Sequence, residues 1–257
     1  MKIKAILLSL LCFFGITTAM AQNDVWVWKG GSAVKTEMAD SITFTSPALT
    51  GPRALAEATT EDIGKIIGED GKIYATKEAA EAAGTTAVAM IAYVGNDAET
   101  NSTYKHGLAL ALKDAGHQQW CRQYRETCLS NQYSSKPAAM GDMAGLANTD
   151  ALVYHSSHTH AAANAARNHK YADSVAEGVH PVVTSAWFLP SAGQWDKMAT
   201  AAGGYVNLRT SADLQSLIYW SSSDSSDGKA WLFDSFNGYW VSGEKDYGGL
   251  VRPCLAF

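Results

Sequence analysis

Cysteine is scarce in this chain, and the scarcity sets its first limit. There are four in 257 residues, and Cys12 falls inside an N-terminal apolar run, which leaves Cys121, Cys128 and Cys254. An odd number is a poor disulfide framework, so the fold must rest on an apolar core. Cys121 and Cys128 would lie ~10 Å apart along one continuous helix, too far to bridge unless the helix ended between them. Basic clusters are absent too. Removing the N-terminal leader, with Lys2 and Lys4, takes the formal net charge from −5 to −7. That excludes nucleic acid and anionic membrane surfaces as natural partners. After the leader no run of ~20 apolar residues occurs, so no membrane span is expected. There is no P-loop, no Gly-x-Gly between a strand and a helix start, no GxSxG elbow and no HExxH. Nucleotide cofactors, a nucleophile elbow and a zincin site are therefore not expected.

What is present begins with export. The basic start Met1–Lys4, the apolar run Ala5–Ile16 and the small-x-small site Ala19-Met20-Ala21 predict a signal peptide over residues 1–21 and a secreted or cell-surface location. Residues 22–60 then read as an N-terminal β-hairpin and linker. Val25 and Val27 alternate with Trp26 and Trp28, Lys29-Gly30-Gly31 turns, and Ile42 and Phe44 open a second strand. Ser46–Thr60 has no clean period and reads as linker.

Residues 61–257 read as the main domain. Short strands flank the Asp70-Gly71 turn, and Thr76 caps a short helix ended by Gly84. Ala87–Val94 and Gly107–Leu112 are apolar runs of strand length. Helices are expected over Gln118–Leu129, Met140–Ala147 and His160–Ala172, the last capped by Ser157 or Thr159. A short strand, Ala186–Leu189, precedes a helix opened by the capping-box pair Ser191 and Gln194. Strands follow at Tyr219–Ser221, Ala230–Phe236, Gly238–Gly243 and Leu250–Phe257. The order predicts an α+β fold, an antiparallel sheet flanked by helices.

Three kinds of chemistry compete. His155, His158, His160 and His169 could gather a metal, but no familiar ligand spacing completes the set. Asp224, Asp227, Asp234 and Asp246, with Asn237 and Glu244, could offer oxygens to Ca²⁺, yet they miss EF-hand spacing and read as solvated turn acids. No metal and no cofactor is expected. The segment Tyr219–Phe257 differs in kind, being rich in Trp, Tyr, Ser, Asp and Gly, a mixture suited to binding surfaces. Alternation puts Trp231, Phe233 and Ser235 on one face and Leu232, Asp234 and Phe236 on the other.

Trp187-Phe188-Leu189-Pro190-Ser191-x-x-Gln194-Trp195, Tyr219-Trp220-Ser221-Ser222-Ser223, Ala230-Trp231, Asn237-Gly238 and Val251-Arg252-Pro253-x-Leu255-Ala256-Phe257 form a pattern. It resembles the C-type-lectin-like variable proteins of diversity-generating retroelements, in Bacteroides-type secreted proteins. Upstream likeness in Asp62–Lys65, Gly71–Thr76 and Ala89–Gly95 extends it over about three quarters of the chain. The resemblance implies a C-type lectin-like fold, no enzyme activity, and a diversified binding face over residues 219–257. Its positions would be Asp227, Gly228, Leu232, Asp234, Phe236, Tyr239, Val241, Gly243, Asp246, Tyr247 and Leu250, binding an unknown protein or surface ligand. Trp220, Ala230, Trp231, Gly238, Val251, Arg252 and Pro253 would be scaffold. The alternatives are an undiversified adhesin subunit or carbohydrate lectin and, further off, an enzyme related to formylglycine-generating enzymes. Those use paired cysteines near the C-terminus, where this chain has only Cys254.

Overall fold

The computed structural model describes residues 25–29, 32–36, 51–100, 102–121, 129–155 and 159–257. The signal peptide, the strand expected at Ile42 and Phe44, Cys128 and His158 lie outside them. So does most of the helix expected over Gln118–Leu129. The chain divides into two compact units, Met1–Gly51 and Pro52–Phe257. In the first, β1 (Val25–Lys29) pairs antiparallel with β2 (Ser32–Thr36). The return strand thus starts immediately after the Gly30-Gly31 pair.

Among its described residues the second unit is α+β, with two sheets and six α-helices. The stretch read as linker up to Thr60 enters this unit at Arg53. There β3 (Arg53–Ala54) joins a six-stranded sheet ordered β13-β7-β6-β4-β5-β3. Its other strands are β4 (Ile66–Gly68), β5 (Lys72–Tyr74), β6 (Ala87–Val94), β7 (Gly107–Ala111) and β13 (Cys254–Ala256). Both faces of this sheet are buried. Met90, Ala92, Leu108, Leu110 and Ala256 enter one core, while Ala89, Ile91, Ala109, Ala111 and Leu255 enter another with Trp187 and Tyr171. A sheet covered on both faces reads as an unbroken apolar run, which is why β6 and β7 do.

The second sheet is ordered β11-β10-β9-β12-β8. It comprises β8 (His117–Gln119), β9 (Ile218–Ser226), β10 (Lys229–Asp234), β11 (Tyr239–Glu244) and β12 (Gly248–Leu250). His117–Gln119 is strand, not the start of the expected helix, because it pairs with Gly248–Leu250.

The helices are α1 (Lys77–Ala82), α2 (Lys136–Ala139), α3 (Gly145–Val153), α4 (Ala161–Arg167), α5 (Ala192–Ala201) and α6 (Tyr205–Ser211). Thr76 caps α1, accepting from the Ala79 N–H at 3.2 Å. In α5 the Ser191 N–H donates to Gln194 Oε1 at 2.9 Å, and Gln194 N–H returns to Ser191 Oγ at 3.3 Å. Two free donors of the first turn are satisfied reciprocally. His160 stands at the N-cap of α4 and makes no side-chain cap bond there, so Thr159 is not the cap.

Helix α5 lies between the sheets. Trp195, Met198 and Ala199 share the first core with Tyr219, Phe233 and Trp240 of the second sheet. A third core covers that sheet's other face, joining Trp220, Ala230 and Leu232 to Trp120, Leu152 of α3 and Ala162, Ala163 and Ala166 of α4. These three cores position the C-terminal strands.

Candidate functional site

Strands β10 and β11 form a hairpin at one edge of the second sheet, with Asp234 opposite Tyr239, Leu232 opposite Val241 and Phe233 opposite Trp240. Antiparallel partners share a face. Phe233 and Trp240 point into the core and Tyr239 and Val241 away from it.

The turn between them is held from several sides. Asp234 Oδ1 accepts from the N–H groups of Phe236 and Asn237 at 2.9 and 3.0 Å, and Oδ2 accepts from the Asn237 amide at 2.8 Å. Burial works against the Asp234 charge, but these bonds outweigh it and hold the carboxyl below its usual range. Arg209 of α6 donates to the Ser235 carbonyl at 3.3 Å, and Ser235 Oγ bonds the Leu217 carbonyl at 2.7 Å. Gly238 sits at φ +72°, where an added Cβ would stand 3.3 Å from Tyr205 Cβ. Gly238→Ala should therefore cost about 1–3 kcal/mol in a denaturant titration, since it adds backbone strain to a close contact. On this braced turn Phe236 is 63% exposed and Tyr239 47% exposed. Rings with only two side-chain torsions, carried on a held backbone, lose little entropy on meeting a partner.

The eleven expected positions do not form one face. Asp234, Phe236 and Tyr239 gather at this turn. Asp227 and Gly228 lie in the β9–β10 turn, beside the far end of β11, where Lys229 pairs with Glu244. Gly243, Asp246 and the 64% exposed Tyr247 also belong beyond or at that far end. Six residues of strand separate the groups by roughly 17 Å. Val241 lies between them.

Two positions are not surface. Leu232, 4% exposed, packs with Trp220 and Trp120, and Leu250, 6% exposed, packs in the first core. Neither can anchor a ligand. Gly243 is closed as well, because a Cβ there would come 2.3 Å from Leu232 Cδ1. Ser242, on the other face of β11, is exposed, as is Asn237 at the turn. Residue-type reasoning passed over both, and the Asn-Gly turn was the signal for Asn237.

The competing sites resolve differently. Asp224 is not a solvated turn acid. It is fully buried and paired with the equally buried Lys245 at 2.9 Å. His160 packs edge-on to Trp120 at 5.7 Å and to His155 at 5.3 Å. His169 packs against Trp187 at 4.7 Å. Among the described residues, no three His, Cys, Asp or Glu side chains could hold one metal ion. Cys121 and Cys254 are buried, and burial pushes the Cys254 thiol well up, away from nucleophilic use. Among the described residues no helix is long and apolar enough to cross a membrane.

The class these features define is an α+β unit of two sheets sharing a helix-filled core, with an aromatic turn at one sheet edge. No family model matches the chain, and no curated protein does. A solved structure does: a fimbrial protein from Bacteroides ovatus, at TM-score 0.54 and 15% identity, over 76% of this chain. This chain spans 48% of that protein's length. The fold likeness overturns the reading of the chain as a retroelement variable protein displaying a diversified face. The architecture is shared with a fimbrial protein, and two of the positions assigned to the face are core.

Proposed function

We propose that this chain is a non-enzymatic, cell-surface adhesin-type subunit, exported by the leader over residues 1–21. The observation that carries this reading is the fold shared with the Bacteroides ovatus fimbrial protein. The braced aromatic turn supports it by supplying a contact surface for a protein partner. Its anchors are Phe236 and Tyr239, with Asn237 and Asp234 as the polar rim. Tyr247, Asp246 and Asp227 form a separate, secondary contact. The finer fold is read as C-type lectin-like, supported by the capped α5 and by the pairing of β13 with β7 in the buried sheet.

The test is a cross-linking pull-down from intact producing cells, comparing the chain with its Phe236→Ala/Tyr239→Ala variant. Partner recovery should fall at least tenfold in the variant while its melting temperature is unchanged. Equal recovery would remove the turn from the contact surface.

A further inference from the structure

A second surface lies away from the aromatic turn, where α4 and the segment after it face β8 and residues 113–115. Two adjoining hollows, each of about 450 Å³, share Gln118 and Ala161. Each is within the roughly 300–1,000 Å³ of small-ligand sites.

The walls are built from unspent amides. Among the described residues, the side chains of Gln118 and Asn168 make no hydrogen bond. Asn164 uses one N–H on the His160 carbonyl at 2.9 Å and retains its oxygen and second N–H. Gln118 is held by its backbone, whose carbonyl accepts from Trp220 Nε1 at 2.8 Å. The wall also contains His169, which is buried, and whose Nε2 has no hydrogen-bond partner among the described residues. That nitrogen is shut off from solvent, with the ring packed on Trp187, so a ligand in the groove does not reach it. Burial, with Lys113 and Arg252 adding to it, pushes the His169 pKa down to about 4. The ring is therefore neutral near pH 7 and adds no charge to the groove wall.

Charge and apolar surface narrow the ligand. Lys113 and Lys170 are offset by Asp114 and Glu177, and the partners behind them cancel as well, Arg252 bonding Asp114 at 2.6 Å and Asp173 lying 3.8 Å from Lys113, so the groove has no net charge. A phosphate or polyanion would find no surplus of cations. The apolar part is three alanines, Ala115, Ala161 and Ala165, with no large aliphatic or aromatic floor for a hydrophobic ligand. Each amide places a donor beside an acceptor, which fits a pair of neighbouring hydroxyls, and the small alanines fit the C–H face of a sugar ring.

We infer that this groove binds an uncharged saccharide through Gln118, Asn164 and Asn168. The inference rests on the surface-subunit reading for access to external glycans, but not on the aromatic turn. The experiment applies the mature full-length chain to an array of neutral and acidic oligosaccharides. Neutral oligosaccharides should be retained. Retention should fall at least tenfold in Gln118→Ala/Asn168→Ala, which removes only unbonded amides and should leave the melting temperature unchanged. Phe236→Ala/Tyr239→Ala should bind like the parent. No retention of neutral oligosaccharides, retention of acidic ones alone, or equal retention by the Gln118/Asn168 variant would overturn the inference. An intracellular location would instead overturn the surface reading, and surface labelling of cells reports that separately.

Discussion

Replacing Lys245 by Ala is expected to lower the unfolding free energy by about 3–5 kcal/mol, the range for breaking a buried ion pair from one side. Lys245 and Asp224 are both fully buried, and the ammonium also lies 4.9 Å from the Trp120 ring centre and 3.3 Å from the Asp227 carbonyl. Removing the lysine takes from the buried Asp224 carboxylate the ammonium that lies 2.9 Å from it. Removing both charges should do less harm, because desolvation of an ion pair consumes most of its attraction. Asp224→Leu/Lys245→Met should therefore recover most of the loss. Urea titrations of the two singles and the double measure the coupling directly. A small loss in Lys245→Ala, or a double variant as unstable as the single, would show that the pair is not held as described. The same charges join the β9–β10 turn to the end of β11, so the variant should also loosen Asp227 and Tyr247.

The second large effect is on pH dependence and involves two opposed buried groups. Burial pushes the Glu99 carboxyl up to about 7, with hydrogen bonds from the Leu146 N–H and the Gln194 amide opposing it and Asp142 adding to it. The folded state then holds a proton that the unfolded chain releases near its ordinary 4.5. Glu99 thus costs stability as pH rises from about 4.5 to 7. His169 acts the other way. Its folded pKa of about 4 lies below the ordinary 6.5, so the unfolded state binds the extra proton and stability rises over that window. Between pH 4.5 and 6.5 the two slopes cancel, and the parent protein should be nearly flat. Glu99→Gln removes the falling slope and should expose a rise of roughly 3 kcal/mol. Parallel flat curves for parent and variant would contradict the burial of one group or the other.

The sequence made the local features legible and the covered surfaces illegible. Ser191 and Gln194 announced the start of α5, and Thr76 that of α1, because caps depend on residues three apart. The apolar runs of β6 and β7 announced buried strands. By contrast, Gln118–Leu129 carries a helical pattern, yet His117–Gln119 is strand, since its partner Gly248–Leu250 lies about 130 residues on. No local period records such a pairing. Helix α6 was missed because Gly203-Gly204 reads as an ending and Tyr205–Ser211 contains Val and Thr, weak helix formers. The helix expected at Met140–Ala147 is displaced to Gly145–Val153, the segment that covers β9. Alternation correctly put Leu232 on the face opposite Phe233. It could not show that Trp120 and helices from residues 145–167 cover that face. The same blindness made Asp224 look like a turn acid, since its partner Lys245 comes from the far end of another strand.

The central proposal, a surface adhesin-type subunit, is tested most directly by labelling intact producing cells with a membrane-impermeant amine reagent. The mature chain should be labelled without lysis and should carry an N-terminus at Gln22. Labelling only after the cells are broken open, or a retained Met1, would contradict it.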